Sequence, residues 1–138
     1  MQFASISYSQ RPSKTQTIDY LNKKLAPSCV VAAKGGDIIA TFSDESGQKI
    51  REDRVALGYL DTIVRYDSKE KMIYISTIKG CDNCVTRKLF VQKVKRGYSR
   101  MSFTIDGSEK EVKGVRKALV HLIRIGSEFR YHDEIVFE

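Results

Sequence analysis

Two periods of apolar residues meet within residues 98–126, which read YSRMSFTIDGSEKEVKGVRKALVHLIRIG. In the first part, Met101, Phe103 and Ile105 alternate with polar residues. A period of two is typical of an antiparallel strand that buries one face and exposes the other. The sequence therefore predicts a half-buried strand over residues 98–105.

The second part of this stretch has the period of a helix. Ser108 and Glu111 have the spacing of a capping box, and Gly126 is suited to end a helix. Between them runs an apolar stripe at helical spacing, formed by Val112, Val115, Leu119 and Leu122. We therefore predict an amphipathic helix over about residues 108–125.

Upstream, the pattern predicts a short helix and then strands. Ser13 and Gln16 form a second capping box, and Pro27 ends the helix that follows it. The glycines of Gly35-Gly36-Asp37 predict the turn of a β-hairpin between CVVAAK and DIIATFS. Further strands are predicted at 62–66, 72–78 and 89–94, with Arg96-Gly97 as the turn before residues 98–105, and the tail from 129 is a candidate last strand.

These elements predict an α+β fold. It has a short N-terminal helix, an antiparallel β-meander of about five or six strands, and a C-terminal amphipathic helix packed on the sheet. The 138 residues fit a single domain, with residues 1–12 as a mobile arm or an edge strand. Exposed strands at the two ends would also allow a homodimer.

Composition excludes several classes of protein. With 41% hydrophobic residues, 2 Pro and 9 Gly, the chain is neither collagen-like nor disordered. It has no apolar run long enough to span a membrane, and its N-terminus does not have the pattern of a signal peptide. Three cysteines are too few and odd in number for a disulfide scaffold. We expect an intracellular protein, cytoplasmic or in the nucleoid or nucleus.

The positive charge is concentrated in one segment. Residues 87–117 contain ten basic and three acidic residues, which accounts for the net charge of +7. Lys and Arg neutralise phosphates and aromatic rings stack on bases, so this segment predicts a nucleic-acid-binding surface. The candidate residues are Arg87, Lys88, Lys93, Lys95, Arg96, Tyr98 and Arg100 in a β-hairpin, with Lys113, Arg116 and Lys117 at the start of the helix.

Two functions fit this charge pattern. The first is a small non-enzymatic protein that binds single-stranded RNA or DNA, because the most basic unit is a hairpin rather than a recognition helix. The second is a protein-interaction module, a regulator or inhibitor that docks its basic face on an acidic partner. The sequence does not distinguish RNA from DNA. It also lacks the G-x-S-x-G, H-E-x-x-H and Walker motifs, so we expect no enzymatic activity.

Cys81 and Cys84 form a C-x-x-C motif in a predicted turn. Two thiolates at this spacing are half of a structural zinc site, and Cys29, His121 and His132 are the remaining soft ligands. Zinc held by two copies of the motif across a dimer, a redox pair, and reduced cysteines without a role are the alternatives. Zinc is the only cofactor that the sequence suggests.

Overall fold

The computed structural model describes the backbone of residues 11–136 and the side chains of residues 11–127. It confirms the α+β class, with a helix, eight strands and a second helix in chain order. The elements are α1 (Lys14–Leu25), β1 (Cys29–Lys34), β2 (Asp37–Ser43), β3 (Lys49–Ala56), a 3-10 turn (Leu57–Tyr59), β4 (Leu60–Asp67), β5 (Met72–Thr77), β6 (Val85–Leu89), β7 (Val94–Tyr98), β8 (Arg100–Thr104) and α2 (Glu109–Val136). The predicted arm or edge strand at residues 1–12 lies almost entirely outside the described residues.

Helix α1 follows the predicted pattern. The Ser13 side chain accepts a hydrogen bond from the Gln16 main-chain N–H, and the Gln16 side chain accepts one from the Ser13 N–H, so the capping box is confirmed. Leu21 and Leu25 are buried one helical turn apart. The helix thus rests its apolar stripe on β1 and α2.

The strands form two antiparallel sheets instead of one meander. The five-stranded sheet has the order β1-β2-β3-β6-β7, and the three-stranded sheet has the order β4-β5-β8. The chain leaves the first sheet after β3, builds β4 and β5, returns for β6 and β7, and leaves again for β8. The predicted antiparallel meander of about five or six strands thus has eight strands in two sheets, because local periodicity does not show which sheet a strand joins.

The β6–β7 hairpin turns at a different place from the prediction. Leu89 pairs with Val94, so residues 90–93 form the turn and Arg96-Gly97 lies inside β7. Lys93 takes a left-handed conformation with φ 56° in this turn. Gly97 is required inside the strand, because a Cβ there would lie 2.8 Å from the Cβ of Asn83. The expected strand at 89–94 is therefore wrong: these residues are the end of β6, a turn and the start of β7.

Helix α2 begins as predicted and ends later. Ser108 and Glu111 exchange the two capping-box hydrogen bonds, at 3.1 and 3.2 Å. The helix continues through Gly126 to Val136, so the predicted stop at Gly126 and the predicted strand in the tail are wrong. Gly126 instead allows a close approach, since a Cβ there would lie 2.2 Å from the Cβ of Leu57 in the 3-10 turn.

The core lies between the two sheets and the helices. Ile73, Ile75, Met101 and Phe103 are fully buried on one face of the three-stranded sheet, which confirms the predicted alternation in β8. Phe42 of the other sheet contacts Phe103, with ring centroids 5.9 Å apart. In the described part of the chain, neither helix is long and apolar enough to cross a membrane.

Candidate functional site

Four exposed cations of the β6–β7 hairpin form what we call the hairpin surface: Lys88, Lys93, Lys95 and Arg96. Lys88 lies opposite Lys95 across the two strands, and Arg96 lies opposite Arg87. Since successive residues of a strand point to opposite faces, Lys95 and Arg96 project from different sides of the sheet. None of the four forms an ion pair with another described residue. Their charges have no ion-pair partner in the described part of the chain, but the four side chains do not converge on one face.

Arg87, also predicted to contact nucleic acid, instead belongs to a buried ion cluster. Its Nε and Nη2 atoms donate to the two carboxylate oxygens of Asp53 at 2.8 and 3.1 Å. Asp53 is 0% exposed, and the Nη2 atom of Arg51 lies 3.5 Å from its Oδ2. We call these three residues the inter-sheet clamp. A buried carboxylate requires such partners, so the guanidinium of Arg87 is already engaged.

The inter-sheet clamp connects the two sheets. Strand β8 is an edge strand, and the main-chain carbonyls of Arg100 and Ser102 accept hydrogen bonds from Arg87 and Arg51 at 3.2 and 2.9 Å. Two arginine side chains thus satisfy carbonyls of β8 that a neighbouring strand would otherwise pair. The Nε atom of Arg51 is buried without a hydrogen-bond partner.

Tyr98, which was predicted to stack on bases, and Tyr74 of β5 each have an arginine guanidinium over the ring. The Arg87 guanidinium lies over the Tyr98 ring, 4.2 Å from its centroid, and the Arg100 guanidinium lies 4.3 Å from the centroid of Tyr74. Tyr98 is also partly buried against the core. One face of each ring is therefore occupied by a cation of the same chain.

A different set of cations converges along α2. A groove of about 540 Å³ runs between this helix and β4, and we call it the basic groove. Its lining consists of Lys113, Arg116, Lys117, His121 and Arg124 from the helix, with Val120, Thr62, Ile63 and Val64. Among the described side chains that line it there is no carboxylate. The charge of these cations is therefore not neutralised by another described group of the lining.

Helical spacing and one main-chain contact position these groups. Lys113, Lys117 and Arg124 recur at intervals of four and seven residues, which places them along one side of the helix. Arg116 donates from Nε and Nη2 to the carbonyl of Val64, at 3.1 and 2.8 Å. Its guanidinium is thereby fixed at the edge of β4. Ile63, on the same strand, leaves 60% of its surface exposed at the groove.

A second hollow of about 560 Å³ adjoins the basic groove between α1 and α2. The two cavities share Lys117 and His121. His121 donates from Nε2 to the carbonyl of Pro12 at 2.7 Å, so its ring is held where the two cavities meet. Tyr20 of α1 covers Gly114, where a Cβ would lie 2.2 Å from the tyrosine oxygen. A continuous concave surface with exposed cations results.

The hairpin surface and the basic groove are built on different elements. The hairpin surface lies on β6, β7 and their turn, in the five-stranded sheet, and its turn is tied to β3 by the Phe90 N–H, which donates to the Ile50 carbonyl at 3.1 Å. The basic groove lies between α2 and β4 of the three-stranded sheet. The ten predicted residues are therefore not gathered in one site. Four lie on the hairpin surface and three line the basic groove, while Arg87, Tyr98 and Arg100 are engaged in contacts within the chain.

Cys81 and Cys84 are joined in a disulfide within the turn between β5 and β6. The third cysteine, Cys29, is buried, and this burial raises the pKa of its thiol to about 12. Among the described side chains, no three His, Cys, Asp or Glu residues are grouped so that they could hold a metal ion. A disulfide sulfur is not a thiolate ligand, so zinc at Cys81 and Cys84 stays a prediction for the reduced chain.

Comparison with known proteins assigns no relative: no family model, no curated protein and no solved structure matches this chain.

Sequence patterns missed one cation of the basic groove and two residues of the inter-sheet clamp. Arg124 shares a helix side with Lys113 and Lys117, and its helical spacing was a signal that could have found it. Asp53 and Arg51 had no such signal, because their partner Arg87 is more than thirty residues away in the chain. The basic groove itself depends on β4 lying beside α2, which is a tertiary contact.

Proposed function

We propose that this protein is a non-enzymatic nucleic-acid-binding protein and that the basic groove is its contact surface. One observation carries the proposal: five basic or imidazole side chains line one concave surface together, and the described lining contains no carboxylate. Cations in such an arrangement attract and neutralise backbone phosphates. The predicted hairpin residues support binding less well, because they project from two faces.

A single-stranded ligand suits the groove better than a duplex. Ile63 is exposed beside the cations, and Val120 and the His121 ring also line the groove. Unstacked bases offer flat apolar surfaces to such side chains, whereas the bases of a duplex are stacked inside it. The expected arrangement has phosphates at Lys113, Lys117 and Arg124, with bases against the apolar strip.

The test is fluorescence-anisotropy binding to labelled single-stranded RNA, single-stranded DNA and duplex DNA over roughly 50–300 mM salt. If Lys113, Arg116, Lys117 and Arg124 each neutralise one phosphate, the slope of log affinity against log salt is about −3 on a single strand. The triple variant Lys113→Gln/Lys117→Gln/Arg124→Gln should bring that slope to about −1.

The matched control is Lys88→Gln/Lys93→Gln/Lys95→Gln, which removes the same charge from the hairpin surface. We expect its slope to equal that of the wild type. If the hairpin variant loses binding and the groove variant keeps it, the hairpin is the contact surface and the basic groove is not. No salt-sensitive binding of any of the three probes at low salt would refute nucleic-acid binding itself.

A further inference from the structure

The two sheets have four edge strands, β1, β7, β4 and β8, and three of them are covered by side chains of this chain. On β1, the Asn22 side-chain amide accepts from the Val31 N–H at 2.6 Å and donates to the Val31 carbonyl at 2.9 Å. On β8, the inter-sheet clamp donates to two carbonyls. On β4, Arg116 donates twice to the Val64 carbonyl, beside an irregularity in strand register.

Strand β7 is the fourth edge, and no described strand pairs with its outer side. It pairs with β6, and no other part of the described chain hydrogen-bonds to the main chain of residues 94–98. About half of the main-chain N–H and C=O groups of an edge strand point away from its neighbour. These groups are a template for one more strand.

The positive charge of the β7 edge favours an acidic strand as the partner. Residues 85–98 contain five cations and no carboxylate, and Lys93, Lys95 and Arg96 lie on or next to the open strand. A second copy of β7 would bring like charges opposite one another, which destabilises pairing. An incoming strand with carboxylates would instead face cations at alternate positions. Exposed Val91 in the turn, with 73% of its surface accessible, adds an apolar contact.

We propose that the β7 edge binds an extended acidic segment of a partner protein by adding it to the five-stranded sheet. Main-chain hydrogen bonds provide the affinity in this mode of recognition, and side-chain charge provides the specificity. The proposal uses a surface separate from the basic groove. It therefore holds or fails independently of nucleic-acid binding.

The test uses the full chain, labelled with ¹⁵N, and a capped peptide of alternating Glu and Val about eight residues long, near the upper end of common strand lengths. We expect shift changes and slower amide exchange confined to residues 85–98, with β7 affected most. The control peptide carries a methyl group on every main-chain nitrogen. It has the same charge but cannot pair as a strand, and we expect it not to bind.

Two charge variants locate the contact. In Lys95→Glu the new carboxylate lies opposite Lys88, so the hairpin should still fold. Because the variant replaces a cation at the β7 edge with a negative charge, we expect its affinity for the acidic peptide to fall about fivefold. Lys113→Glu makes the same charge change in the basic groove and should leave the affinity unchanged.

Three outcomes would overturn the proposal. They are no binding of the Glu-Val peptide at low salt, equal binding of the methylated peptide, and displacement of the peptide from β7 by a single-stranded oligonucleotide of equal charge. The last outcome would make the hairpin a nucleic-acid contact instead.

Discussion

Replacing Arg87 with methionine removes the two charge-assisted hydrogen bonds that hold the buried Asp53, while it keeps most of the side-chain volume. Asp53 is then left with Arg51, whose Nη2 atom is 3.5 Å away, and the Arg100 carbonyl loses its donor. Breaking a buried ion pair by removing one partner costs about 3–5 kcal/mol. Because Arg51 remains, we expect the lower end of this range, about 3 kcal/mol.

Urea denaturation followed by circular dichroism measures this change in the free energy of unfolding. With an m-value of about 2 kcal/mol/M, the midpoint should fall by about 1.5 M. The control is Lys88→Met, one residue along the same strand, where the side chain is exposed and forms no ion pair with a described residue; its effect should stay within about 0.5 kcal/mol. Arg87→Met should also keep the wild-type salt slope for nucleic acid. Equal midpoints for the two variants would refute the structural role of the inter-sheet clamp.

Three further predictions test other parts of the structure. Gly126→Ala should lower the free energy of unfolding by about 1–2 kcal/mol, because overpacking against Leu57 outweighs the gain in helix propensity. Thermal denaturation measures this change, and an unchanged or higher Tm would contradict the close contact. Cys29 should not react with a thiol reagent at about pH 8 in the folded chain, since burial raises its pKa to about 12, and one thiol per chain should react in denaturant. Hydrogen bonds from Ser108 lower the pKa of the Glu111 carboxyl in the folded state. The stability contributed by this carboxylate is therefore complete above its unfolded pKa and is lost as the pH falls through its folded pKa. Glu111→Gln should accordingly reduce the loss of stability between about pH 5 and pH 3. An acid titration with the same slope for Glu111→Gln and the wild type would contradict that contribution.

Local signals predicted the beginnings of both helices, the first hairpin and the buried face of β8. A capping box works within four residues, and a two-residue period can be seen in five, so these signals do not depend on the rest of the chain. Turn position was harder to predict. Arg96-Gly97 resembles a turn because glycine is common in turns, yet Gly97 is needed for the close approach of Asn83.

The candidate site was likewise predictable from the sequence only in part. Sequence located the excess of positive charge in residues 87–117 and named Lys113, Arg116 and Lys117. It treated Arg87 and Lys88 alike, because neighbouring cations on one strand have the same local pattern. Their environments differ because alternate residues face opposite sides of the sheet, and only one of those sides contains the buried carboxylate.

By itself, the sequence determined where helices begin, which residues of β8 are buried, and that the chain carries a concentrated positive charge. Each of these depends on residues a few positions apart. Only the tertiary structure decided how eight strands are shared between two sheets, that Arg87 is held by a buried carboxylate while Lys88 is exposed, and that the cations of α2 converge beside β4. These properties depend on contacts between residues that are far apart in the chain, and such contacts leave no period in the sequence.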